Sequence, residues 1–302
     1  MPKSLLLLVA ALCLPLGAQA SASPELTLYP AAQVQLPSLA VPVGVRAVGM
    51  GGAYAAAGRD VTALQWNPAG LARIGGYQLN LAHNEWDSTL GLRQEYLAYG
   101  MGLGPDRGLG ISINYFSLGT VTERSDTGAL GNESGAYDFS GSAGFAGSLL
   151  SDDSLKLGLS LEYGMESLFE QTTSLVAGSV GLQYDISHDL TLGLSGNHLG
   201  AGSGGFNPPS ETLLGLAYSF NERAAVIALD GDLPFSGAAS VRAGLEVNLS
   251  SLALRAGWRQ ALSEEDSEVQ TGPTAGAGFK TGVFALDYAF AVWALDEGWT
   301  KA

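Results

Sequence analysis

Residues 155–164 read LKLGLSLEYG, so that leucine or tyrosine at each odd position alternates with a polar residue or glycine at each even one. The same period of two returns in residues 241–249, VRAGLEVNL, and in residues 252–259, LALRAGWR. Successive side chains of a β-strand point to opposite faces, so each run has one apolar face and one largely polar face. The pattern predicts amphipathic strands, and it persists from residue 76 to about residue 295.

Two architectures are built from such strands: a soluble β-sandwich with its apolar faces together, and a membrane barrel with its apolar faces toward lipid. The polar positions mix glycine and serine with charged residues, as a polar lumen would, whereas the apolar positions are almost free of charge. The strands are about ten residues long, which suits a tilted crossing of a bilayer. We therefore predict an all-β fold, a transmembrane antiparallel β-barrel of about 12–14 strands, with the sandwich as the alternative.

The connections between strands alternate in length, as periplasmic turns and extracellular loops do. We expect longer loops at residues 119–135, 165–172 and 199–209, among others. The resulting count is about thirteen strands, an odd number, whereas bacterial barrels close with even numbers. Either one of the divisions of the sequence into strands is wrong, or a closing strand is missing from the sequence.

The composition agrees with a surface that faces lipid. Only 14% of the 302 residues are charged, and 42 are glycine; soluble domains carry about 25% charged residues. The formal net charge is −15, with 29 acidic against 14 basic residues. Nucleic acid is excluded as a partner, because its binding requires a basic surface.

The N-terminus has the pattern of a secretory signal: Lys3, an apolar run over residues 5–16, and Ala18-Gln19-Ala20 as a cleavage site. We therefore divide the chain into a signal peptide at residues 1–20, an N-terminal plug segment at 21–75 and a barrel at 76–302. The expected location is the outer membrane of a Gram-negative-type cell, reached through the Sec pathway with cleavage near Ala20. Cys13, the single cysteine, lies in the signal, so the exported chain has no disulfide.

One stretch has the specificity of a family motif. Residues 44–53 read GVRAVGMGGA, and residues 60–72 read DVTALQWNPAGLA. This stretch resembles the N-terminal signature of the PorV/PorQ family of outer-membrane barrels, which is related to the FadL-type hydrophobic-compound transporters. Residues 254–258, LRAGW, and 286–289, LDYA, also resemble strands of that family. The resemblance implies an N-terminal hatch inside the barrel, with the Asn-Pro-Ala stretch near the transport path.

The small residues of the motif allow its backbone to pack closely against a barrel wall, and Pro68, which has no N–H, fixes a turn. The alternative is that Asn67 to Ala69 only end a helix and anchor the plug. Arg46 and Asp60 are expected to pair with charges on the inner wall. The predicted plug residues are Gly44, Arg46, Ala47, Gly49, Met50, Gly51, Gly52, Asp60, Asn67, Pro68, Ala69 and Gly70.

Charged residues at the inward positions of the strands are the second group of candidates. They could line a pore, but buried charges need partners, so we favour mutual pairing around the plug. These predicted lumen-lining residues are Lys156, Glu162, Arg242, Glu246, Arg255, Arg259 and Asp287.

The sequence gives no sign of a catalytic or metal centre. The strand division separates the three histidines: His83 lies near a strand end, His188 in a short turn and His198 at the start of a long loop. No metal-ligand spacing and no serine–histidine pair at one rim is found, so we expect no catalytic residue, no metal, no cofactor and no enzyme. The acidic run at residues 264–268 is interpreted as a solvated loop, with loose Ca²⁺ binding as the alternative.

Beside a purely structural barrel, two non-enzymatic functions remain. The resemblance implies a PorV/PorQ-type role in outer-membrane transport or type IX protein secretion, with exported proteins or secretion-machinery components as partners besides the lipid bilayer. The alternative is a FadL-like passive channel for hydrophobic small molecules. A contiguous apolar cavity beside a gap in the wall would favour the channel, and a lumen packed with paired charges would argue against it. A lipid-modifying barrel enzyme would need a catalytic triad that the sequence does not supply.

Overall fold

The computed structural model describes residues 36–87, 91–124, 130–168, 171–203, 207–262, 271–295 and 298–301. The chain divides into two compact units, Met1–Gln33 and Val34–Ala302, and the described residues all belong to the second. The predicted signal peptide and the acidic run at residues 264–268 therefore lie outside the described residues.

The described residues form one antiparallel sheet of fourteen strands, in which each strand pairs with the next along the chain. This confirms the predicted all-β barrel architecture and a strand number within 12–14. The strands are β1 Tyr77–Asp87, β2 Leu92–Gly102, β3 Arg107–Arg124, β4 Leu130–Ser148, β5 Leu155–Leu168, β6 Gln171–Asp185, β7 Leu190–Gly202, β8 Glu211–Phe220, β9 Ala225–Pro234, β10 Ser240–Leu249, β11 Leu252–Ala261, β12 Gly272–Thr281, β13 Phe284–Leu295 and β14 Gly298–Lys301.

The two faces of the sheet differ in exposure as the period-two pattern predicts. On β5, Leu159, Leu161 and Tyr163 are 56%, 64% and 53% exposed, whereas Glu162 between them is buried. A sandwich would bury its apolar faces, so this outward apolar surface excludes the soluble alternative. In an outer-membrane barrel such a surface faces the lipid, and the polar side faces the lumen.

The segment before β1, residues 36–76, lies against the inner face of the sheet, and we call it the plug. Its helices are short: α1 is Val45–Gly49, α2 is Ala63–Trp66, and two 3₁₀ turns span Pro37–Leu39 and Pro68–Arg73. Helix α2 ends at Trp66, and the next residue, Asn67, has the extended backbone (φ −159°) that is favoured before a proline. In the part of the chain that is described, no helix is long and apolar enough to cross a bilayer.

Two of the predicted long loops are mostly strand. Strand β3 extends to Arg124 and β4 begins at Leu130, and the pair of β5 and β6 leaves only two residues between Leu168 and Gln171. The prediction of long loops was wrong there because apolar alternation marks only the part of a strand that contacts lipid. Hydrogen bonding between strands continues beyond that zone, for example from Thr120 to Gly135.

The predicted count of thirteen strands lacked the last one. Strand β14 is four residues long and pairs with Val292–Leu295 at the end of β13. Within the described residues, β1 and β14 stand at the two ends of the hydrogen-bonded order.

Candidate functional site

The plug consists mainly of alanine, glycine and irregular backbone. The side chains of Ala53, Tyr54, Ala55 and Ala57 are fully buried, yet the region between α1 and α2 forms turns and no regular element. Buried backbone N–H and C=O groups need hydrogen-bond partners, and short helices supply few of them. The wall therefore has to supply the rest.

Polar side chains on the inner wall bond directly to the plug backbone. Asp230 on β9 accepts hydrogen bonds from the N–H groups of Tyr54 and Ala55, both at 2.7 Å. Gln183 on β6 donates to the carbonyl oxygens of Ala55 and Gly58, both at 3.1 Å. Side chains of the wall thus replace the main-chain partners that a regular element would have.

Three more wall residues make bonds of the same kind. Gln78 on β1 accepts from the N–H of Val61 at 2.9 Å, and Ser195 and Asn197 on β7 donate to the carbonyl of Trp66 at 2.8 and 3.0 Å. Sequence analysis did not single out any of these side chains as site residues. Their only signal is a polar residue at an inward position of a strand.

Asn67 and Pro68 join the plug to the wall at one point. Asn67 is fully buried and donates to the carbonyl of Ala55 at 2.8 Å and to that of Leu182 on β6 at 3.0 Å. Its oxygen accepts from the N–H of Ala69 at 3.1 Å, so the side chain also caps the 3₁₀ turn that begins at Pro68. This geometry agrees with the anchoring interpretation of the Asn-Pro-Ala stretch.

The glycines of the motif let the two backbones meet. Gly51 has a φ of +68°, and a Cβ added there would lie 2.7 Å from the backbone nitrogen of Trp258 on β11. On the wall, a Cβ on Gly244 would lie 2.5 Å from the carbonyl oxygen of Met50. A side chain at either position would push the plug away from the wall.

The predicted plug residues all lie in the plug. Arg46 and Asp60 are partly exposed. The remaining ones are buried: Gly44, Ala47, Gly49, Met50, Gly51, Gly52, Asn67, Pro68, Ala69 and Gly70.

An ionic ladder connects the plug with three wall strands. Arg46 contacts both carboxylate oxygens of Glu246 on β10, at 2.7 and 2.8 Å. Glu246 also accepts from Arg255 on β11 at 2.8 Å, and Arg255 reaches Asp287 on β13 at 2.5 Å. Bidentate pairing of this kind is among the stronger ionic contacts.

The plug end of this ladder is itself held in place. Asp60 lies 3.4 Å from Arg46 and accepts a short hydrogen bond from the hydroxyl of Tyr54. The expected pairing of Asp60 with an inner-wall charge was therefore wrong, because Arg46 of the plug itself is its ionic partner among the described residues. Burial opposes the charge of Arg46, but Tyr54, Glu246 and Asp60 raise the pKa of Arg46 above its usual value. Burial raises the pKa of Tyr54, so its hydroxyl stays protonated and remains a donor.

A second ionic group lies on β9 to β11. Asp232 contacts Arg242 at 2.5 Å and Arg259 at 3.0 Å. The guanidinium of Arg242 also lies over the ring of Trp66 in the plug, with its carbon 5.4 Å from the ring centre. Arg242 therefore contributes both to the wall and to the contact with the plug.

A third group of ionic contacts lies at the end of β6 that leads into a short turn. Arg73, near the C-terminal end of the plug, contacts Gln183 and Asp185 of β6, both at 2.6 Å. Lys156 is buried and reaches the same Asp185 at 3.4 Å. Burial, and then the neighbouring charges of Arg73 and Arg223, lower the pKa of Arg59 in the plug to about 10. Two predicted charges lie outside the first ladder and the Asp232 group: Lys156, which pairs with Asp185, and Glu162, which contacts His198 at 2.8 Å.

The placement of His198 at the start of a long loop was wrong. His198 lies inside β7, where Asn197 and His198 face Ser179 at an irregularity in the register of β6 and β7. Its backbone has a φ of +53°, and its buried ring contacts Glu162 at 2.8 Å. A β-bulge redirects a side chain in this way, and the apolar pattern does not reveal it.

A small cavity remains between the plug and the wall. Its volume is about 30 Å³, which is room for only one or two water molecules. Its lining combines apolar residues of the plug with Trp66, His198, Glu211 and Arg242. Among the described residues, no group of His, Cys, Asp and Glu side chains is arranged to hold a metal ion.

Comparison with known proteins gives a family and a fold. Residues 17–193 match the sequence model described as "Uncharacterised protein family (UPF0164)". No curated protein matches the sequence at a significant level.

The similar solved structures are outer-membrane barrels. A deletion mutant of the TodX monoaromatic hydrocarbon channel has a TM-score of 0.64 at 15% identity, with 83% of this chain and 92% of that chain covered. The P. putida toluene transporter TodX gives 0.60 at 16% identity, with the same coverage. A Pseudomonas aeruginosa FadL homologue gives 0.52 at 10% identity, covering 83% and 90%. At these identities the likeness is one of fold, and the chain has the fold of FadL-type outer-membrane channels.

Proposed function

The chain belongs to the UPF0164 family, and we propose that it is a plugged outer-membrane channel for small hydrophobic molecules. The passage is closed in the present conformation and opens when the plug shifts along the wall. The observation that carries this proposal is the attachment of the plug. It is held by side-chain hydrogen bonds and ion pairs such as Arg46 with Glu246, and by no strand pairing among the described residues.

Side-chain attachment supports a movable plug for an energetic reason. Each hydrogen bond contributes about 0.5–1.5 kcal/mol net and can be exchanged for a bond to water or to a ligand. A plug held by a continuous β-ladder would have to lose a whole row of bonds at once. A plug packed against the inner wall also argues against a general porin, which keeps an aqueous passage open.

The similarity in fold supports the proposed class of solute. The similar structures carry names that describe a monoaromatic hydrocarbon channel and a toluene transporter. The inner face of the barrel carries paired charges, which by the criterion from the sequence argue against such a channel. In the main ladder, however, only the contact of Arg46 with Glu246 joins the plug to the wall, so a shift of the plug separates this pair and leaves Glu246 with Arg255. On this proposal, the packing describes a closed state.

A disulfide that fixes the plug to the wall tests the proposal. A Cβ on Gly49 would lie 3.3 Å from the Cβ of Arg255, slightly closer than the 3.5–4.5 Å of a disulfide. We expect cells that express Gly49→Cys/Arg255→Cys to accumulate radiolabelled toluene slowly when oxidised and several-fold faster after reduction. The single-cysteine variants are the controls, since the only native cysteine, Cys13, lies in the predicted signal.

Toluene uptake that is equal in expressing cells and in cells with an empty vector would refute the channel. Equal uptake by the oxidised and reduced double variant would refute a moving plug.

The motif at residues 44–72 supports a second candidate, the PorV/PorQ-type role in type IX protein secretion. Its residues form the interface between plug and wall, which either function could use. Deletion of the gene in a host that has such a pathway should then remove a set of proteins from the culture medium. An unchanged set of secreted proteins, together with a loss of toluene uptake, would decide for the channel.

A further inference from the structure

Four arginines lie within electrostatic reach of one another at the end of the barrel that carries the short turns, which we call the short-turn end. Arg46, Arg59 and Arg73 belong to the plug, and Arg223 lies in the turn between β8 and β9. The whole chain has only 14 basic residues and a net charge of −15. A group of four arginines in such a chain is therefore not a result of its composition.

Hydrogen bonds place Arg59 at this end of the plug. The carbonyl of the preceding residue accepts from Gln183 of β6 at 3.1 Å, and the side-chain oxygen of Gln183 accepts from Arg73 at 2.6 Å. The following residue, Asp60, lies 3.4 Å from Arg46. The backbone of Arg59 is thereby held next to both of the other plug arginines.

Arg223 reaches the same region from the wall. Its Nη1 donates to Oγ of Ser219 at 3.3 Å, and Ser219 is a buried residue on the inner face of β8. Its carbonyl accepts from Asn248 of β10 at 2.9 Å. Asn221, Glu222 and Arg223 have φ values of +45°, +55° and +72°, a conformation that residues other than glycine rarely adopt. This unusual turn holds the guanidinium of Arg223 at the inner side of the barrel mouth.

Two of the four charges have no ionic partner. Arg46 and Arg73 each pair with a carboxylate of the wall. Arg59 and Arg223 form no ion pair with a carboxylate of the described residues, and both are half-buried. Burial, and then the neighbouring arginines, lower the pKa of each to about 10. Both guanidinium groups therefore stay charged at neutral pH and repel each other.

We propose that Arg59 and Arg223 bind a small dianionic oxyanion, such as inorganic phosphate or a phosphate monoester, between the plug and the wall. The two unpaired positive charges match the two negative charges of the ligand. The planar N–H groups of a guanidinium fit two oxygens of a phosphate group at once. A half-buried position also weakens the screening of these contacts by salt. A singly charged anion leaves one of the two repelling charges without compensation.

A bound dianion joins the plug to the wall, because Arg59 belongs to the first and Arg223 to the second. Without it, the repulsion between the two side chains favours separation of the plug from this part of the wall. Saturating phosphate should therefore slow protease cleavage of the plug several-fold, and unchanged cleavage would show that the anion does not join the two. The further consequence, that the anion keeps the channel closed, rests on the proposed function, whereas the binding itself does not.

The test is calorimetric titration of the purified full chain in detergent at about pH 8 and constant ionic strength. Inorganic phosphate and methyl phosphate carry two negative charges at this pH, whereas dimethyl phosphate has the same tetrahedral centre and one charge. We expect inorganic phosphate to bind about tenfold more tightly than dimethyl phosphate, the factor expected for one more hydrogen bond between charged groups. Tight binding of methyl phosphate as well would extend the site to monoesters, and tight binding of inorganic phosphate alone would assign it to the free ion.

The variants Arg59→Gln and Arg223→Gln should each lower the affinity for phosphate about tenfold, to nearly that for dimethyl phosphate. Arg59→Lys keeps the charge without the planar fork and should give an intermediate affinity. Arg93→Gln, an exposed change near the start of β2 at the opposite end of the barrel, removes the same charge and should keep the native affinity. Equal affinity of the native chain for phosphate and dimethyl phosphate would overturn the proposal, and so would a preference that survives both glutamine variants.

The anion site and the proposed channel fail in different ways. Toluene uptake by cells, together with equal binding of phosphate and dimethyl phosphate in solution, would overturn the anion site and leave the channel standing. A phosphate preference that depends on Arg59 and Arg223, without toluene uptake, would uphold the anion site and overturn the channel.

Discussion

Asp230 shows how single residues of the wall hold the plug. One carboxylate oxygen accepts hydrogen bonds from two adjacent N–H groups, those of Tyr54 and Ala55, in a fully buried part of the molecule. Without this acceptor, both N–H groups would be buried and unpaired. A buried group that loses its partner costs about 1–3 kcal/mol.

We therefore expect Asp230→Ala to destabilise the plug by about 2–6 kcal/mol, from two unpaired N–H groups. Asp230→Asn should cost less, because its amide oxygen can still accept. The measurement is the rate at which protease cleaves the plug in detergent-solubilised protein, with Asn and Ala compared at the same position. Equal cleavage of both variants and the native chain would show that Asp230 does not hold the plug.

The sequence could place Asp230 on the inner wall but could not give its partners. Period-two alternation assigns the face of every residue on a strand, and by that rule Asp230 and Gln183 point inward. Their partners are main-chain groups of the plug, which any sequence provides. The ionic partners were easier to foresee, because Arg46 is a charged residue in a segment otherwise made of small and apolar residues.

At the scale of elements, strands that meet lipid along most of their length were predicted well, and those that extend beyond it were not. Strands β5, β10 and β11 contain the clearest apolar alternation and occur where the sequence predicts them. The pair β3 and β4 continues into polar sequence, where hydrogen bonding persists without an apolar face. The bulge at His198 depends on a single left-handed residue, to which hydrophobic periodicity is insensitive.

The turn at Asn67 and Pro68 is the element whose loss we expect to loosen the plug as a whole. Asn67→Ala/Pro68→Ala removes the bonds to Ala55 and Leu182 together with the cap of the 3₁₀ turn. We predict a higher ion conductance in planar bilayers with unchanged membrane assembly, because the wall strands pair independently of this turn.

The matched control for this prediction is Gly75→Ala, at the exposed end of the plug. A Cβ added there has no neighbour within 4 Å, so conductance should stay at the native level. Native conductance in the Asn67→Ala/Pro68→Ala variant would mean that the turn is not needed to keep the lumen closed.

At the scale of the whole molecule, the same features that made the fold predictable left the function open. Low charge content, outward leucines and inward glycines follow from a barrel in lipid, whatever passes through it. The small cavity between plug and wall is lined in part by His198, Glu211 and Arg242, which come from three different strands. Their proximity is set by the register of the barrel, which no local pattern contains.

The barrel as a unit should also resist detergent until it is heated. Each described strand from β2 to β13 is hydrogen-bonded on both sides, so the bonds between strands are lost together and only at high temperature. We expect the protein in an outer-membrane fraction to migrate differently in unboiled and boiled samples on a gel. Absence of a shift, with the protein soluble in the periplasm, would contradict both the barrel in the membrane and its location. A shift that disappears on mild warming would instead mean that the β1 and β14 ends of the sheet are weakly joined, since these are the ends of its hydrogen-bonded order among the described strands.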